Sequence, residues 1–352
     1  MSKNYKIAVL SGDGIGPEVI EQALKVLKSV GNKFNFSFEF TNALIGAIAI
    51  DKTGNPLPDE TIEICKASDA VLLGAVGHPR FDNDPSAKVR PEQGLLKIRK
   101  TLGLYANLRP IYTFSLLNDI SPLKNHLLQN VDFLVYRELT GGIYFGEKGY
   151  THEGTVAYDN CSYSVEEITR IAEKAFKSAQ SRKKKLTLVD KANVLETSRL
   201  WRATVKKIAE KYPDVTLDFM FVDAASMKIV QTPSYFDVVL TENLFGDILT
   251  DEASVITGSI GMLPSASIGD KYALFEPIHG SYPQAAGKNI ANPYGTILST
   301  AMLLDHIGEF EAAKAVRNAV NTSLDKGYVT EDISKINPKS TTEVGDFVAS
   351  LI

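Results

Sequence analysis

The stretch KIAVLSGDGIGPE, residues 6–18, decides the fold class because it joins a buried strand to the start of a helix. Residues 6–10 have the continuous apolar character of a strand that is covered on both faces. A glycine-rich turn follows, and then a proline with an acidic neighbour, which are signals for the first turn of a helix. Apolar residues recur at helical spacing over residues 18–30, and Gly31 is predicted to end this helix.

The same alternation of strand and helix recurs along the chain. Further predicted strands lie at residues 34–40, 69–77, 186–190 and 235–240, and further predicted helices lie at residues 59–67, 198–212, 244–256 and 293–307. Strands that alternate with helices predict an α/β fold with a mainly parallel sheet. Residues 140–157 depart from this pattern because they are rich in glycine and aromatic residues. We interpret them as an exposed hairpin, which is a candidate dimer arm.

Length and composition exclude several classes of protein. A chain of 352 residues is long enough for two domains, and a net charge of −4 weighs against a nucleic-acid-binding protein. The two cysteines form no CxxC pair and the five histidines form no HExxH motif, so a zinc site is not expected. The apolar runs near the N-terminus are too short for a signal peptide or a membrane span, so we expect a soluble, cytoplasmic protein.

The glycine-rich turn at residues 12–16 has the context of a dinucleotide-binding fingerprint but not its spacing. It lies between a strand and a helix, as that motif requires. However, it reads G-x-G-x-G, and Pro17 stands where the motif should continue. A tight strand-to-helix turn close to a ligand is therefore favoured over a Rossmann pyrophosphate site.

Three aspartates are candidate metal ligands. Asp247 and Asp251 lie four residues apart, so a helix would place both carboxylates on one face. Asp223 follows another apolar strand and could supply a third carboxylate. Carboxylates are preferred ligands of Mg²⁺, although an exposed acidic helix face is the simpler interpretation of the pair alone. The small and apolar residues that flank the pair favour the metal site.

Three arginines and two further side chains are candidates for substrate binding and proton transfer. Arg99, Arg109 and Arg137 lie in largely apolar surroundings, where arginine can bind a carboxylate through two hydrogen bonds or serve as a structural ion-pair partner. Together with a metal site they indicate a small polycarboxylate substrate. Tyr144 and Lys191 could act as acid or base if their neighbours shift their pKa values from about 10.

Seven segments, taken in this order, resemble the β-decarboxylating dehydrogenase family of the isocitrate/isopropylmalate type. They span nearly the whole chain: GDGIGPE (12–18), ANLRP (106–110), RELTGGIYFG (137–146), VDKANV (189–194), ENLFGDIL (242–249), EPIHGS (276–281) and IANP (290–293). The resemblance implies a two-domain α/β fold that is not a Rossmann fold, which accounts for the unusual glycine spacing. It also implies a dimer with a β-hairpin arm near residues 140–160.

The family's organisation implies domains that interleave along the chain. Residues 1–104 and 258–352 would form a discontinuous cofactor-binding domain. Residues 105–257 would form the domain that binds substrate and makes the dimer.

Residue roles carry over from the family motif by motif. Arg99, Arg109 and Arg137 would bind the carboxylates of a malate, and Asp223, Asp247 and Asp251 would hold Mg²⁺ or Mn²⁺. Asp223 and Lys191 are expected from the other subunit, with Lys191 as the base or relay for the hydroxyl proton and Tyr144 as the acid that protonates the enolate. The remaining implied residues contact cofactor: Ile15, Glu92, His279, Gly280, Ser281, Gln284 and Asn292.

Three positions bear on the substrate. Glu92, Leu95 and Leu96 match the positions that distinguish substrates in the family, and the two leucines offer an apolar wall for an isopropyl group. The implied reaction is the NAD-dependent oxidative decarboxylation of an isopropyl-substituted malate, a step of leucine synthesis. Homoisocitrate, tartrate and isocitrate are alternative substrates. A non-catalytic homologue is a further alternative, against which the retained candidate side chains argue.

One departure from the family concerns the cofactor. NAD-dependent members usually carry an aspartate shortly after the histidine-glycine-serine motif, where its carboxylate binds the ribose hydroxyls and repels a 2′-phosphate. Here that position is Gln284, which accepts a hydrogen bond but lacks the charge. The Lys-Tyr pair typical of NADP-dependent members is also absent. We therefore expect NAD as cofactor, with weakened discrimination against NADP.

Overall fold

The computed structural model of this chain describes residues 3–82 and 87–352. The chain divides into two compact units, each made from separate stretches of sequence. Unit 1 comprises Met1–Leu104, Phe114–Ile120 and Gly258–Ile352, and unit 2 comprises Tyr105–Thr113 and Ser121–Thr257. One predicted boundary is wrong, because residues 114–120 group with unit 1 rather than with residues 105–257. In unit 1, Gly258 lies directly against Ile120, which leaves no space for a Cβ at this glycine.

Strands and helices alternate through most of the chain. Among the described residues the strands are β1 (Asn4–Gly12), β2 (Ser37–Asn42), β3 (Ala70–Ala75), β4 (Ala106–Tyr112), β5 (Asp132–Glu138), β6 (Lys148–Thr151), β7 (Val156–Asp159), β8 (Lys185–Asp190), β9 (Thr216–Phe221), β10 (Val238–Thr241), β11 (Pro264–Ile268) and β12 (Ala273–Pro277). The α-helices in the same part of the chain are α1 (Gly16–Phe34), α2 (Ala47–Thr53), α3 (Asp59–Lys66), α4 (Pro79–Asp82), α5 (Pro91–Thr101), α6 (Val165–Gln180), α7 (Glu196–Ala209), α8 (Val222–Gln231), α9 (Asn243–Ser254), α10 (Tyr294–His306), α11 (Phe310–Asp325) and α12 (Thr341–Ser350).

Unit 1 is built on the strand order β2-β1-β3-β12-β11. β1 is parallel to both of its neighbours and β12 is parallel to β3, whereas β11 runs antiparallel to β12. All six residues of β3 are buried. α1 buries the apolar positions expected from the helical spacing, including Val19, Ala23 and Val30. The expected α/β fold with a mainly parallel sheet is confirmed.

Asp13 ties the glycine-rich turn to the start of α2 and to the loop after β3. Its carboxylate is 5% exposed and accepts hydrogen bonds from the backbone N–H groups of Ala47 (2.8 Å), Ile48 (2.9 Å) and Gly77 (2.9 Å). Gly14 has a positive φ of 57° and lies so close to the Ser281 carbonyl that no side chain would fit. The glycines therefore serve a tight turn and a close approach of two backbone segments.

Unit 2 is built on the strand order β4-β5-β10-β8-β9. β5, β10, β8 and β9 are parallel, and β4 runs antiparallel to β5. The register aligns Arg137 with Thr241 and Thr241 with Val189. The residues that follow β5, β8 and β10 therefore emerge at the same edge of this sheet, where ligands bind in open α/β folds.

The segment that departs from the α/β pattern forms a hairpin, as predicted. β6 and β7 make a separate antiparallel pair, with Thr151 opposite Val156. The side chain of Tyr150 is 75% exposed and that of Val156 is 47% exposed. Large apolar side chains therefore lie on the surface of the hairpin.

Several predicted element boundaries are wrong. α1 continues beyond Gly31 to Phe34 and ends where Asn35 adopts the left-handed conformation, so the predicted strand 34–40 is displaced to β2. Similarly, the strand predicted at residues 235–240 begins only at Val238, because residues 233–235 form a 3₁₀ turn. The final helices α11 and α12 have amphipathic patterns that the prediction missed.

In the part of the chain that the structure describes, no helix has the length and apolar character to span a membrane.

Removing the Asp13 carboxylate should destabilise the protein. We expect Asp13→Ala to lower the free energy of unfolding by about 2–4 kcal/mol, because buried backbone N–H groups lose a charged acceptor. Chemical denaturation measures this change. The matched control is Glu39→Ala, which removes an exposed carboxylate of β2 and should cost less than about 0.5 kcal/mol. Equal effects of the two substitutions would contradict the role given to Asp13.

Candidate active site

Helix α9 brings the first group of predicted site residues together in unit 2. It follows β10 directly, and the Glu242 side chain caps its first turn by accepting a hydrogen bond from the Phe245 N–H (2.9 Å). Burial raises the pKa of Glu242. Asp247 and Asp251 are one turn apart on this helix, as the spacing predicted. Their side chains are 34% and 67% exposed, so the pair lies at the surface of the unit.

Arg137 and Tyr144 both reach Asp247. Arg137 lies at the end of β5, is 4% exposed, and donates from Nη1 to Asp247 Oδ1 (2.5 Å). Tyr144 lies in a 3₁₀ turn at Gly142–Tyr144, and its Oη donates to Asp247 Oδ2 (2.7 Å). The guanidinium carbon of Arg137 is 5.7 Å from the centre of the Tyr144 ring. One carboxylate therefore holds the candidate acid beside a candidate substrate-binding arginine.

Arg109 occupies the other side of the acidic pair. From β4 it donates Nη1 to Asp251 Oδ1 (3.0 Å) and to Thr250 Oγ1 (2.7 Å), and its Nη2 is 4.0 Å from Asp247 Oδ1. Its Nε donates to Asn107 Oδ1 (2.9 Å). These contacts offset the repulsion between the two α9 carboxylates.

The environment of Tyr144 favours the protonated form of its phenol. Burial raises the pKa of its phenol to about 12, and the hydrogen bond to Asp247 adds to this effect. Arg137 acts in the opposite direction but does not cancel it. The phenol is therefore protonated at neutral pH, as an acid must be before it transfers its proton.

Lys191 and Asp223 form a separate pair in unit 2. Lys191 follows β8, Asp223 lies in the first turn of α8, and their Nζ and Oδ1 atoms are 2.5 Å apart. The hydrogen bond from Lys191 lowers the pKa of Asp223. Across residues 3–82 and 87–352, no three metal-ligating side chains of one chain are clustered. The three aspartates suit a hard divalent cation by their chemistry, but a single chain does not assemble them.

The third arginine and the predicted substrate wall lie in unit 1. Arg99 is on α5 and donates from Nη2 to Glu276 Oε1 (2.8 Å), and both side chains are almost buried. Leu95 packs partly against the core of this unit. Leu96 is half-buried beside it on α5. Glu92 lies near the start of the same helix and approaches Gly77.

The predicted cofactor residues of unit 1 converge on the loop at residues 279–284. Ile15 donates its N–H to the Ser281 carbonyl (2.8 Å), which joins the glycine-rich turn to this loop. Gln284 is exposed in the 3₁₀ turn at Pro283–Ala285. The Asn292 side chain donates to Asp332 (3.0 Å) and accepts from the Tyr294 N–H (3.0 Å), which fixes its amide at the start of α10.

His279 has a buried ring nitrogen without a hydrogen-bond partner in the described part of the chain, as expected of a residue that binds a cofactor. Its Nδ1 is 2.9 Å from the Gly280 carbonyl, which requires a proton on Nδ1. Burial lowers the pKa of His279, so the ring is neutral and Nε2 is an acceptor. Nε2 is buried, and no hydrogen-bond partner lies within the described part of the chain. A hydroxyl or amine donor of a nucleotide would satisfy it.

Sequence reasoning missed four residues that support the site: Asp13, Asn243, Glu242 and Glu276. Each lies inside one of the motifs quoted above, but each was considered only as part of its motif. A buried polar residue at a strand end, among apolar neighbours, is the signal that could have revealed them.

The chain is similar over nearly its whole length to known dehydrogenases. Residues 6–348 match the family described as isocitrate/isopropylmalate dehydrogenase. The 3-isopropylmalate dehydrogenase of Bacteroides fragilis is 53% identical over 351 residues, covering 99% of both chains. That of Aquifex aeolicus is 55% identical over 335 residues, covering 94% of this chain and 92% of its own.

A solved structure leads to the same family. Isocitrate dehydrogenase from Methylococcus capsulatus superposes with a TM-score of 0.89 at 34% identity, covering 99% of both chains. With its α/β fold and its grouped arginine, tyrosine and aspartate residues, the chain belongs to the isocitrate/isopropylmalate dehydrogenase family of oxidoreductases.

Proposed function

We propose that this protein catalyses the NAD-dependent oxidative decarboxylation of 3-isopropylmalate to 4-methyl-2-oxopentanoate and CO₂, a step of leucine synthesis. The observation that carries the proposal is the arrangement around α9, where Asp247 contacts Arg137 and Tyr144 while Arg109 contacts Asp251. This arrangement combines cations for a dicarboxylate, ligands for a metal and a protonated acid. The names of the relatives support the same substrate.

The chain's own residues would bind and orient the substrate. Arg109 and Arg137 would bind its carboxylates, each through a planar guanidinium. Arg99 would contribute a third cation from unit 1. When bound, NAD accepts a hydride and Mg²⁺ or Mn²⁺, held by Asp223, Asp247 and Asp251, acts as a Lewis acid on the substrate oxygens.

Two residues would move protons. Lys191 would accept or relay the proton that leaves the C2 hydroxyl, so that the C–H electron pair can depart as hydride. Loss of the β-carboxylate as CO₂ leaves an electron pair on C3 as an enolate. Tyr144 would then donate its proton to C3, which its high pKa permits at neutral pH.

The proposed site for the NAD cofactor is built from residues of unit 1. Ile15, Glu92, Gly280 and Ser281 would surround the nicotinamide side, and the unpaired Nε2 of His279 would accept from the nucleotide. Gln284 and Asn292 complete the proposed nucleotide site. Because Gln284 has no charge to repel a 2′-phosphate, we expect NAD to be preferred over NADP only weakly.

The proposed active site is shared between two copies of this chain. Residues on and near α8 and α9 expose large apolar side chains, namely Met227, Val230, Ile248 and Val255, and such a surface is typical of an interface. In a twofold dimer this face and the hairpin of β6 and β7 would contact the second copy. The partner would then bring its Asp223 and Lys191 to Asp247 and Asp251.

We also propose a cytoplasmic location, because Cys65 and Cys161 are free thiols.

The substrate class is tested with a panel of diacids. With Mg²⁺ or Mn²⁺, we expect kcat/KM to be highest for 3-isopropylmalate, about tenfold or more above homoisocitrate, tartrate and isocitrate, because the leucine wall offers no partner for a polar γ-group. NAD should be used better than NADP. Faster turnover of isocitrate or tartrate would contradict the proposed substrate, and equal or better use of NADP would contradict the proposed cofactor.

Shortening the leucine wall should weaken recognition of the isopropyl group. We expect Leu96→Ala to lower kcat/KM for 3-isopropylmalate relative to unbranched malate by about tenfold, since apolar contacts of this size contribute about 1–3 kcal/mol. Leu116→Ala is the matched control, because Leu116 is an exposed leucine of the same unit. The ratio should be unchanged in the control. If Leu96→Ala also leaves the ratio of the two kcat/KM values unchanged, Leu96 does not contact the isopropyl group.

Complementation between inactive variants tests the shared site. Tyr144→Phe and Lys191→Ala should each be nearly inactive when purified alone. In a heterodimer of the two, one site would combine an intact Tyr144 with an intact Lys191 from the partner, so the purified heterodimer should recover about half of the wild-type turnover. Differently tagged chains, expressed together and purified by both tags, provide this species. A heterodimer as inactive as its parents would contradict a shared site.

A further inference from the structure

We infer that Asn243 is a positioning residue, which fixes the distance between the substrate-binding Arg137 and the proton donor Tyr144 through a single buried amide. The roles of these two residues rest on the proposed function. The contacts of Asn243 are independent of that function.

The side chain of Asn243 connects two segments that each carry a site residue. It is fully buried at the start of α9. Its Oδ1 accepts hydrogen bonds from Arg137 Nε (3.1 Å) and Nη2 (2.9 Å), and its Nδ2 donates to the Gly141 carbonyl (3.0 Å). An uncharged carboxamide provides an acceptor on one side and a donor on the other.

The amide itself has little freedom to move. The Asn243 backbone N–H donates to Tyr163 Oη (3.0 Å), and Tyr163 Oη donates to Glu242 Oε2 (3.1 Å). A Cβ on Gly142 would lie 2.2 Å from Tyr163 Oη, so the loop packs directly against this ring. The start of α9 and the loop that carries Tyr144 are therefore joined by side-chain contacts as well as by the amide.

The two side chains that Asn243 positions, Arg137 and Tyr144, also share a contact with Asp247. Arg137 and Tyr144 donate to different oxygens of that carboxylate, at 2.5 and 2.7 Å. Gly141 precedes Tyr144 by three residues, so a shift of the Gly141 carbonyl would displace the phenol. Arg137 uses Nε and Nη2 toward Asn243 and Nη1 toward Asp247, which fixes the plane of its guanidinium. Asn243 thus acts on the arginine through its oxygen and on the tyrosine through its nitrogen.

Two substitutions at this position separate the two effects. Asn243→Asp retains an acceptor for Arg137, but it places an oxygen against the Gly141 carbonyl and so disturbs the loop. Asn243→Ala removes both contacts. Thr187→Val is the control. It removes the hydroxyl of a fully buried side chain of β8 in the same unit, and Thr187 is not proposed to bind substrate, metal or cofactor.

The test compares kcat and KM with the binding affinity of the diacid that the wild-type enzyme turns over best. We expect Asn243→Asp to lower kcat about tenfold or more with a KM and Kd within about threefold of wild type, since the misplacement affects the acid. Asn243→Ala should lower kcat and also raise KM and the calorimetric Kd about tenfold or more, because the arginine loses its orientation. The Kd for NAD and the kinetics of Thr187→Val should stay at wild-type values.

Two results would overturn the inference. In the first, kcat and KM per folded molecule are unchanged in both Asn243 variants, even if their stability falls, which would make the role structural only. In the second, the two variants lose kcat and affinity in the same proportion, so that the two halves of the amide have no separate effects. If Asn243→Ala does not fold, the isosteric Asn243→Asp decides alone through its kcat. A wild-type enzyme that turns over another diacid would contradict the proposed substrate but leave this comparison intact.

Discussion

The carboxylate of Asp247 is the point on which the proposed active site of unit 2 depends. It accepts one hydrogen bond from Arg137 and one from Tyr144, and its neighbour Asp251 is held by Arg109. Two negative charges one helical turn apart are tolerated because cations from β4 and β5 face them. Burial and the hydrogen bond to Asp247 raise the pKa of the tyrosine. The two carboxylates are also the ligands proposed for a divalent cation. The orientation of the arginine and the protonation of the tyrosine therefore both depend on Asp247.

Much of this organisation could be predicted from local sequence. The apolar run before Gly12 and the helical spacing after it predicted β1 and α1, and four-residue spacing predicted that Asp247 and Asp251 share a face. These features depend on neighbours in sequence. The position of Tyr144 beside Asp247 joins residues about a hundred positions apart, so it required the resemblance to a family rather than periodicity.

Other features could not be read from the sequence because they depend on tertiary contacts. The helix α1 passes Gly31 because a left-handed Asn35 ends it instead, and no propensity favours that outcome strongly. Residues 114–120 join unit 1 through contacts such as that of Ile120 with Gly258. Asn243 and Asp13 look like ordinary polar residues until their partners are known. Both show that buried polar side chains at strand ends hold neighbouring backbone segments in place.

One site of this protein is proposed both to oxidise a branched malate and to remove its β-carboxylate. Its stoichiometry is tested by following NADH, CO₂ and keto acid together during turnover of 3-isopropylmalate by the wild-type protein with NAD and Mg²⁺. We expect equal amounts of NADH, CO₂ and 4-methyl-2-oxopentanoate at every time point. NADH formation without an equal release of CO₂, or no formation of NADH at all, would contradict it.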